Sequence, residues 1–535
     1  MRLSSFVPSL KAQDLQHGRI GIHRRILRMI IPIALICALS RLIPTCSALD
    51  IDGDNFSIDA AITWQISDSP INVKGELTVV SGGSLVIESG VRVIFDSTNG
   101  ITSSITVGLG GLLAIMGGTS DGGRVILEPS EEDGSWGGIT FEAGAISAMV
   151  DETFDYDSGS IIQYADIIQA GHGSIYSSVN AIDCSLGAVP YILGVTLISS
   201  GGHYYGSGVN IYDLKGTFVA RNLRIIPNTT AVSVYSSRRG LNIVGSGIGS
   251  GSIVLENIDV ARDASFEAVT ISSAASLRVS ESVLNEGLSL SYIASVNISA
   301  NNLAARLSMS NLGGEGSSIH INENSIEISE DQAGQALVSY NWKPGTDEFS
   351  QVQIARNTIR GGVIDVQNDY YWWGGNYINI TIESNSIIGS TRGGIHVRNL
   401  GDGHLIMTKN SVRDCISPDI PVIRIHSHSS ATTAFRQNGV EQCVGSALVK
   451  LDGHPLESFE ENIFSDNTAV VSVDISQMSS AQASIDYIRL PRNYWGNYQS
   501  DLMGLRKTVR DAFYDLSIPA IVDFDQMLSA ADIHR

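Results

Sequence analysis

Few residues in this 535-residue chain combine the types and spacing that chemistry needs. Ile425-His426-Ser427-His428 puts two imidazoles on one face of an extended segment, which suits a transition metal if a third ligand comes from elsewhere; a polar surface face is the plainer reading. Asp151, Glu152, Asp155 and Asp157 crowd one acidic loop, but they lack the alternating order of a dedicated calcium loop and read equally as a solvated turn. His172 lies between glycines, as an acid–base histidine could. Gly-His and Asp-Gly-His recur at His203, His404 and His454, however, which makes the phrase a turn signal. Two aromatic clusters stand out. Tyr370, Tyr371, Trp372, Trp373 and Tyr377 fall in one insertion, and PRNYWGNYQS closes on three rings. Rings set among Gly and Asn suit stacking on a glycan or anchoring a protein contact; packing on the chain itself is the alternative.

The elements that must position these residues come from a repeat. An apolar-x-apolar-x-x-Asn-x-apolar phrase recurs with its Asn at Asn301, Asn324, Asn357, Asn385, Asn410, Asn438 and Asn462, and an earlier copy has Ser282 in the Asn place. The steps are 23, 33, 28, 25, 28 and 24 residues, too variable for a short helical repeat. The apolar-x-apolar piece predicts a short strand with one inward face. Asn predicts the bend, since it tolerates left-handed φ. Strands that turn at each Asn and return one spacing higher make a parallel β-helix. Stacked Asn would then hydrogen-bond along the axis.

At ~25 residues per rung, residues 55–500 predict roughly 18 rungs and a rod of about 85 Å. Asn493 continues the ladder 31 residues after Asn462, which aims Trp495 into the last coil rather than at a ligand. Cys415 and Cys443 each follow a ladder Asn by five residues, so adjacent rungs stack them. Stacking at ~4.8 Å predicts either a disulfide or a pair of reduced thiols, leaving Cys184 alone. Leu502, Leu505, Val509 and Phe513 predict a helix over 501–514, and Ala520–Phe524 a strand. Together they would cap the hydrophobic end that a solenoid otherwise exposes.

Outside this rod the chain begins with Arg24, Arg25 and Arg28, then an apolar run over 29–39 and Cys46-Ser47-Ala48. That pattern predicts a signal peptide at 1–48, the β-helix at 49–500 and the cap at 501–535; a retained short anchor is the alternative. Seven of the 34 Lys and Arg and one of the 55 Asp and Glu lie in 1–48, so the remaining chain carries a net charge of −27. Such a surface repels nucleic acid and anionic lipid. Secretion fits the four Asn-x-Ser/Thr acceptors at Asn55, Asn228, Asn297 and Asn379.

The opening coils, Ser69 through Phe95 and then Gly134-Ser135-Trp136-Gly137-Gly138-Ile139, resemble right-handed parallel β-helix proteins of the pectin-lyase-like superfold. The close, NYWGN followed by VRDAFYDLSIPAIVDFDQML, is most similar to the β-helix modules of bark beetle-type proteins, large adhesive membrane proteins of animal tricellular junctions. The scavenger-receptor-like, lectin-like and membrane-spanning parts of that family are absent from this sequence, which makes a fragment, a short isoform or a secreted relative the expectation. The resemblance implies an all-β, right-handed parallel β-helix solenoid with an adhesive or scaffolding role at the cell surface, in the setting of epithelial junctions. Its expected partners are extracellular protein or glycan. Membrane association is expected only through a longer anchored form or a retained N-terminal segment. No cofactor is expected. The superfold also hosts polysaccharide lyases and hydrolases, the rival reading. Gly171-His172-Gly173 is similar to a polygalacturonase His motif, but the carboxylate runs that chemistry requires are missing, so no catalytic residue is assigned.

Overall fold

Short alternating segments become strands because each can bury one row of side chains only against the rung above and below. The computed structural model describes residues 49–535 apart from 98–101, 121, 133, 172–179, 201–205, 228–237, 248, 262–265, 314–316, 329–336, 341–349, 369–377, 400–402, 428–430, 454–455, 478–486, 512, 514–517, 519, 525 and 530–535. The segment expected to be a signal peptide lies outside these residues.

The chain forms a parallel β-helix with three sheets running along it. The first sheet climbs from Ala61–Trp64 through Ser84–Glu88 and Leu112–Met116 to Leu456–Glu460. After one bend, the second climbs from residues 71–74 through Arg92–Asp96 and Val125–Pro129 to Ile463–Ser465. After a second bend, the third climbs from residues 76–79 through Ser104–Val107 and Ile139–Phe141 to Val509–Arg510. Pairing within all three is parallel, and the antiparallel exception among the described residues is the hairpin of Met149–Val150 with Tyr156–Ser158. No helix among the described residues is long and apolar enough to cross a membrane.

The inward rows stack like on like. Ile298, Ile321, Ile354 and Ile382 lie in register and are fully buried, then give way to Met407, Phe435 and Phe459. In the second sheet Ile387, Val412, Val440 and Phe464 stack in the same way. Trp495 ends that row, 3% exposed and parallel to Phe464 at 4.5 Å, as its place in the repeat predicts.

The first bend holds the Asn ladder. Asn385 shows its unit: its Oδ1 accepts from the backbone N–H and Nδ2 of Asn357 at 3.0 and 2.9 Å, and its Nδ2 donates to Asn410 Oδ1 and Ile354 O at 2.9 Å. Every polar site on the side chain is thereby used. The pattern runs unbroken from Asn301 to Asn493, where Nδ2 turns to the carbonyls of Phe459, Leu490 and Pro491. Ser282 begins it, its N–H donating to Asn301 Oδ1 and its hydroxyl accepting from Ile258 N–H.

One expectation is corrected here. The left-handed residue is not the Asn but the one before it: Ala300, Glu323, Arg356, Ser384, Lys409, Gln437, Glu461 and Arg492 all have φ near +57°, between 55 and 61. The Asn side chain must point inward to reach its neighbour, so the preceding residue takes the turn. The C-terminal helix is corrected too. It spans only Leu502–Lys507, capped by Asp501, and Val509–Arg510 joins the third sheet. Thr508 ends it by donating its hydroxyl to Leu505 O, while Leu502 and Phe513 stay exposed. The expected closing strand is present as Ile521–Asp523, paired with Tyr487–Arg489.

Because both polar ends of each Asn are buried and used, Asn385→Ala should destabilise the rod by about 3 kcal/mol or more. Asn385→Ser should cost less, since a hydroxyl can still accept the N–H as Ser282 does. Urea denaturation checks this, and a loss under about 0.5 kcal/mol for the alanine variant would refute the role assigned to the ladder.

Candidate functional site

Parallel stacking builds columns on the outside as well as the inside. On the outer face of the third sheet, Asp365, His396, Arg424, Lys450 and Asp474 form one column, and Gln367, Arg398, His426 and Asp452 the next. Asp365, Gln367, His396, Arg398, Arg424 and His426 line a cleft of about 370 Å³ with Val397 at its floor. The columns carry both signs of charge, so the cleft is polar and amphoteric.

Its groups are held in place by one another. Gln367 Nε2 donates to both oxygens of Asp365 at 3.2 Å. Arg424 pairs with the buried Asp452 through Nε and Nη2, at 3.2 and 3.1 Å, and Lys450 stands 3.9 Å from the other carboxylate oxygen. His396 is tied to the Pro421 carbonyl through Nε2 at 2.9 Å. That bond depends on Gly393, at φ 93°, where a Cβ would lie 2.5 Å from His396 Nε2 and 2.6 Å from Pro421 O. Burial pushes the His396 imidazole below its ordinary value; Arg424 adds to this, while the Pro421 carbonyl and Asp365 oppose it. The result is a neutral imidazole among paired charges.

A second groove of about 350 Å³ lies on the outer face of the first sheet, between His320, Gln351, Gln353, Asn379, Thr381 and His404. Asn379 is half-buried there and accepts from the His404 backbone N–H at 3.2 Å. Asn297 is exposed on the same face between buried Val296 and Ile298, as its alternation predicts, and Asn55 is exposed on the first strand. Asn228 lies outside the described residues.

The remaining candidates separate. Tyr370, Tyr371, Trp372, Trp373 and Tyr377 lie outside the described residues, as do His172 and His428. Among the described residues no group of three or more His, Cys, Asp or Glu could hold a metal ion. Asp151 accepts from the N–H groups of Thr153 and Asp155, which makes the acidic loop a hydrogen-bonded turn, and Arg221 pairs with Asp155 and, at 3.0 Å, with Glu256.

Cys415 and Cys443 do stack at the second bend, where Val444 N–H donates to Cys415 O at 2.7 Å. Of the two expected states, the structure has the reduced pair and not the disulfide: both are free, buried thiols. Stacking points both side chains the same way, and each thiol donates to the carbonyl two residues back, Arg413 at 3.4 Å and Glu441 at 3.2 Å. The hydrogen bond to Cys443, with burial, pushes the Cys415 thiol well up. The same column holds Asn467, which sequence reasoning missed: its Oδ1 accepts from Cys443 N–H and its Nδ2 donates to Val440 O. Its spacing of five from Asn462 was the available signal.

Comparison of the chain with family models, curated proteins and solved structures finds no match in any of the three.

Two outcomes test this geometry. Because the folded His396 binds its proton below the unfolded value of about 6.5, the unfolded state protonates first and stability falls as pH drops below that point. The urea midpoint should therefore decline from pH 7.5 to pH 5, and His396→Gln should flatten part of that slope; equal slopes would contradict the buried neutral imidazole. In the native protein Cys415 and Cys443 should resist iodoacetamide at pH 8 and react after denaturation. Rapid native labelling, or a 415–443 disulfide in non-reducing mass mapping, would contradict the thiol pair.

Proposed function

We propose that this chain is a non-enzymatic extracellular β-helix module with an adhesive or scaffolding role, which contacts a protein or glycan through the outer face of its third sheet. The observation that carries the reading is the amphoteric cleft at Asp365, Gln367, His396, Arg398, Arg424 and His426, in which Gln367 holds Asp365 and buried Asp452 holds Arg424. Paired, pre-positioned side chains favour recognition, because little ordering remains to be done on binding. Asn55, Asn297 and Asn379 fit a glycosylated, secreted or cell-surface chain, with at least the latter two on a different face from the cleft. The setting proposed from the resemblance to bark beetle-type modules is the epithelial cell–cell, tricellular, junction.

A polysaccharide lyase or hydrolase is the second reading, favoured by the presence of Asp365, His396 and Arg424 together on an outer sheet face. It is weakened because, among the described residues, Asp365 is the single carboxylate lining the cleft, whereas hydrolysis by acid–base chemistry takes two. His396, tied to a backbone carbonyl, is also poorly placed to exchange protons with substrate.

Beads coated with the full chain should adhere to epithelial cells, and the double variant Arg398→Glu/His426→Glu should reduce adhesion roughly tenfold while its far-ultraviolet circular dichroism keeps the β-sheet signature of the parent. In parallel, pectin and alginate with Ca²⁺ should yield no ultraviolet-absorbing unsaturated product. Turnover that disappears in Asp365→Asn or Arg424→Ala would replace this proposal with the enzymatic one.

A further inference from the structure

Asn379 and Thr381 stand on one outward face of the strand Ile378–Glu383, between the buried Ile378, Ile380 and Ile382. Both line the groove on the first sheet, so the acceptor asparagine and the hydroxyl that completes its Asn-x-Thr sequence open into the same space. Asn297 differs. It is exposed and lies in register with His320, one rung below, outside the lining of the groove.

The carboxamide of Asn379 is held at one end. Its Oδ1 accepts from the His404 backbone N–H on the rung above, at 3.2 Å, and Nδ2 has no hydrogen-bond partner among the described residues. The group is planar, so fixing Oδ1 toward the upper rung turns Nδ2 away from it. Attachment of a glycan uses Nδ2 and leaves Oδ1 as it is. In that transfer Nδ2 bonds to C1 of N-acetylglucosamine, the C1–O bond to a lipid diphosphate donor breaks, the diphosphate leaves and Nδ2 gives up one proton. The hydrogen bond that holds Asn379 in the fold survives the modification.

The groove offers what a first sugar ring asks for. Its volume of about 350 Å³ falls at the lower end of small-molecule pockets. His320, Gln353, Thr381 and Ile406 stack as one column beside Asn379. Gln353 Oε1 accepts from His320 Nδ1 at 3.0 Å, which leaves Gln353 Nε2 to donate and His320 Nε2 to accept. Ile406 is 42% exposed and gives apolar surface to an acetyl methyl or to a sugar C–H face. A sugar one bond from Nδ2 starts inside this groove, because its attachment point is itself half-buried there.

We infer that Asn379 carries an N-linked glycan whose first N-acetylglucosamine lies in the first-sheet groove, against Gln353 and Ile406, rather than extending into solvent. The inference rests on the secreted reading proposed above. A glycan seated here covers one face of the rod and leaves the third-sheet cleft bare for its partner.

Release by peptide N-glycosidase tests it on the full chain secreted from mammalian cells, with the released sites mapped by mass spectrometry in ¹⁸O water. Asn379 should be occupied, and its glycan should leave the native protein roughly tenfold more slowly than the denatured one, or slower still. The glycan at exposed Asn297 should be released from the native protein nearly as fast as after denaturation. Gln353→Ala/Ile406→Ala changes two outward side chains and leaves the Asn-x-Thr sequence intact. It should raise native release at Asn379 toward the denatured rate while circular dichroism stays that of the parent. An unmodified Asn379 in a protein glycosylated at Asn55 or Asn297 overturns the inference and leaves the secreted reading standing. So does native release at Asn379 as fast as denatured release, or protection that the folded double variant does not lift. A secreted-cell preparation with no glycan at Asn55, Asn228, Asn297 or Asn379 overturns both.

Discussion

From Asn301 to Asn493 the rod is held by one repeated hydrogen-bonded unit: an Asn carboxamide that accepts two N–H groups from the rung before it and donates to the rung after it. Each link fixes the height of the next coil, because Oδ1 can take both the backbone and the side-chain N–H only when adjacent Asn residues lie one strand spacing apart. Fixing the bend fixes the strand on either side. The inward rows of Ile then fall in register, and so do the outward columns that make up the cleft. Beside the ladder, left-handed φ falls on non-glycine residues such as Arg356 and Lys409, which is unfavourable alone. The ladder bonds offset that strain from Asn301 to Asn493.

The same column explains why one half of the architecture was plain in the sequence and the other was not. From Asn301 onward the bend residue carries a side chain that repeats visibly. Below it, the column is Val125, Ala165, Val195, Leu223 and Ile258, all buried and in register, with no residue type to mark the turn. The left-handed position persists there at Tyr164, Gly194, Asn222 and Asn257, but almost any residue can occupy it. An aliphatic column and a polar one therefore build the same bend. Only the polar one leaves a signature.

The cleft was harder to read for a related reason. Asp365, His396, Arg424 and Lys450 are outward residues of successive third-sheet strands, yet the connections between those strands differ in length, so their alignment follows only from strand pairing. The cysteines were easier, since both keep a spacing of five from a ladder Asn. Their oxidation state was not legible, because it depends on where each thiol points. At the C-terminus, apolar spacing suggested a longer helix than exists: residues at helical intervals were divided between a single helical turn or two and a strand that closes the third sheet. Trp495 combines both lessons. Its ring obeys the repeat, while the chain leaves the repeat one residue later at Gly496.

Side-chain amide hydrogen exchange on ¹⁵N-asparagine-labelled protein tests the central claim most directly. If the ladder is the fixed frame of the rod, the Nδ2 protons of Asn324 through Asn462 should exchange only with global unfolding, far more slowly than those of exposed Asn297. Exchange of the ladder amides at the rate of a free side chain, in a protein that remains folded, would contradict it.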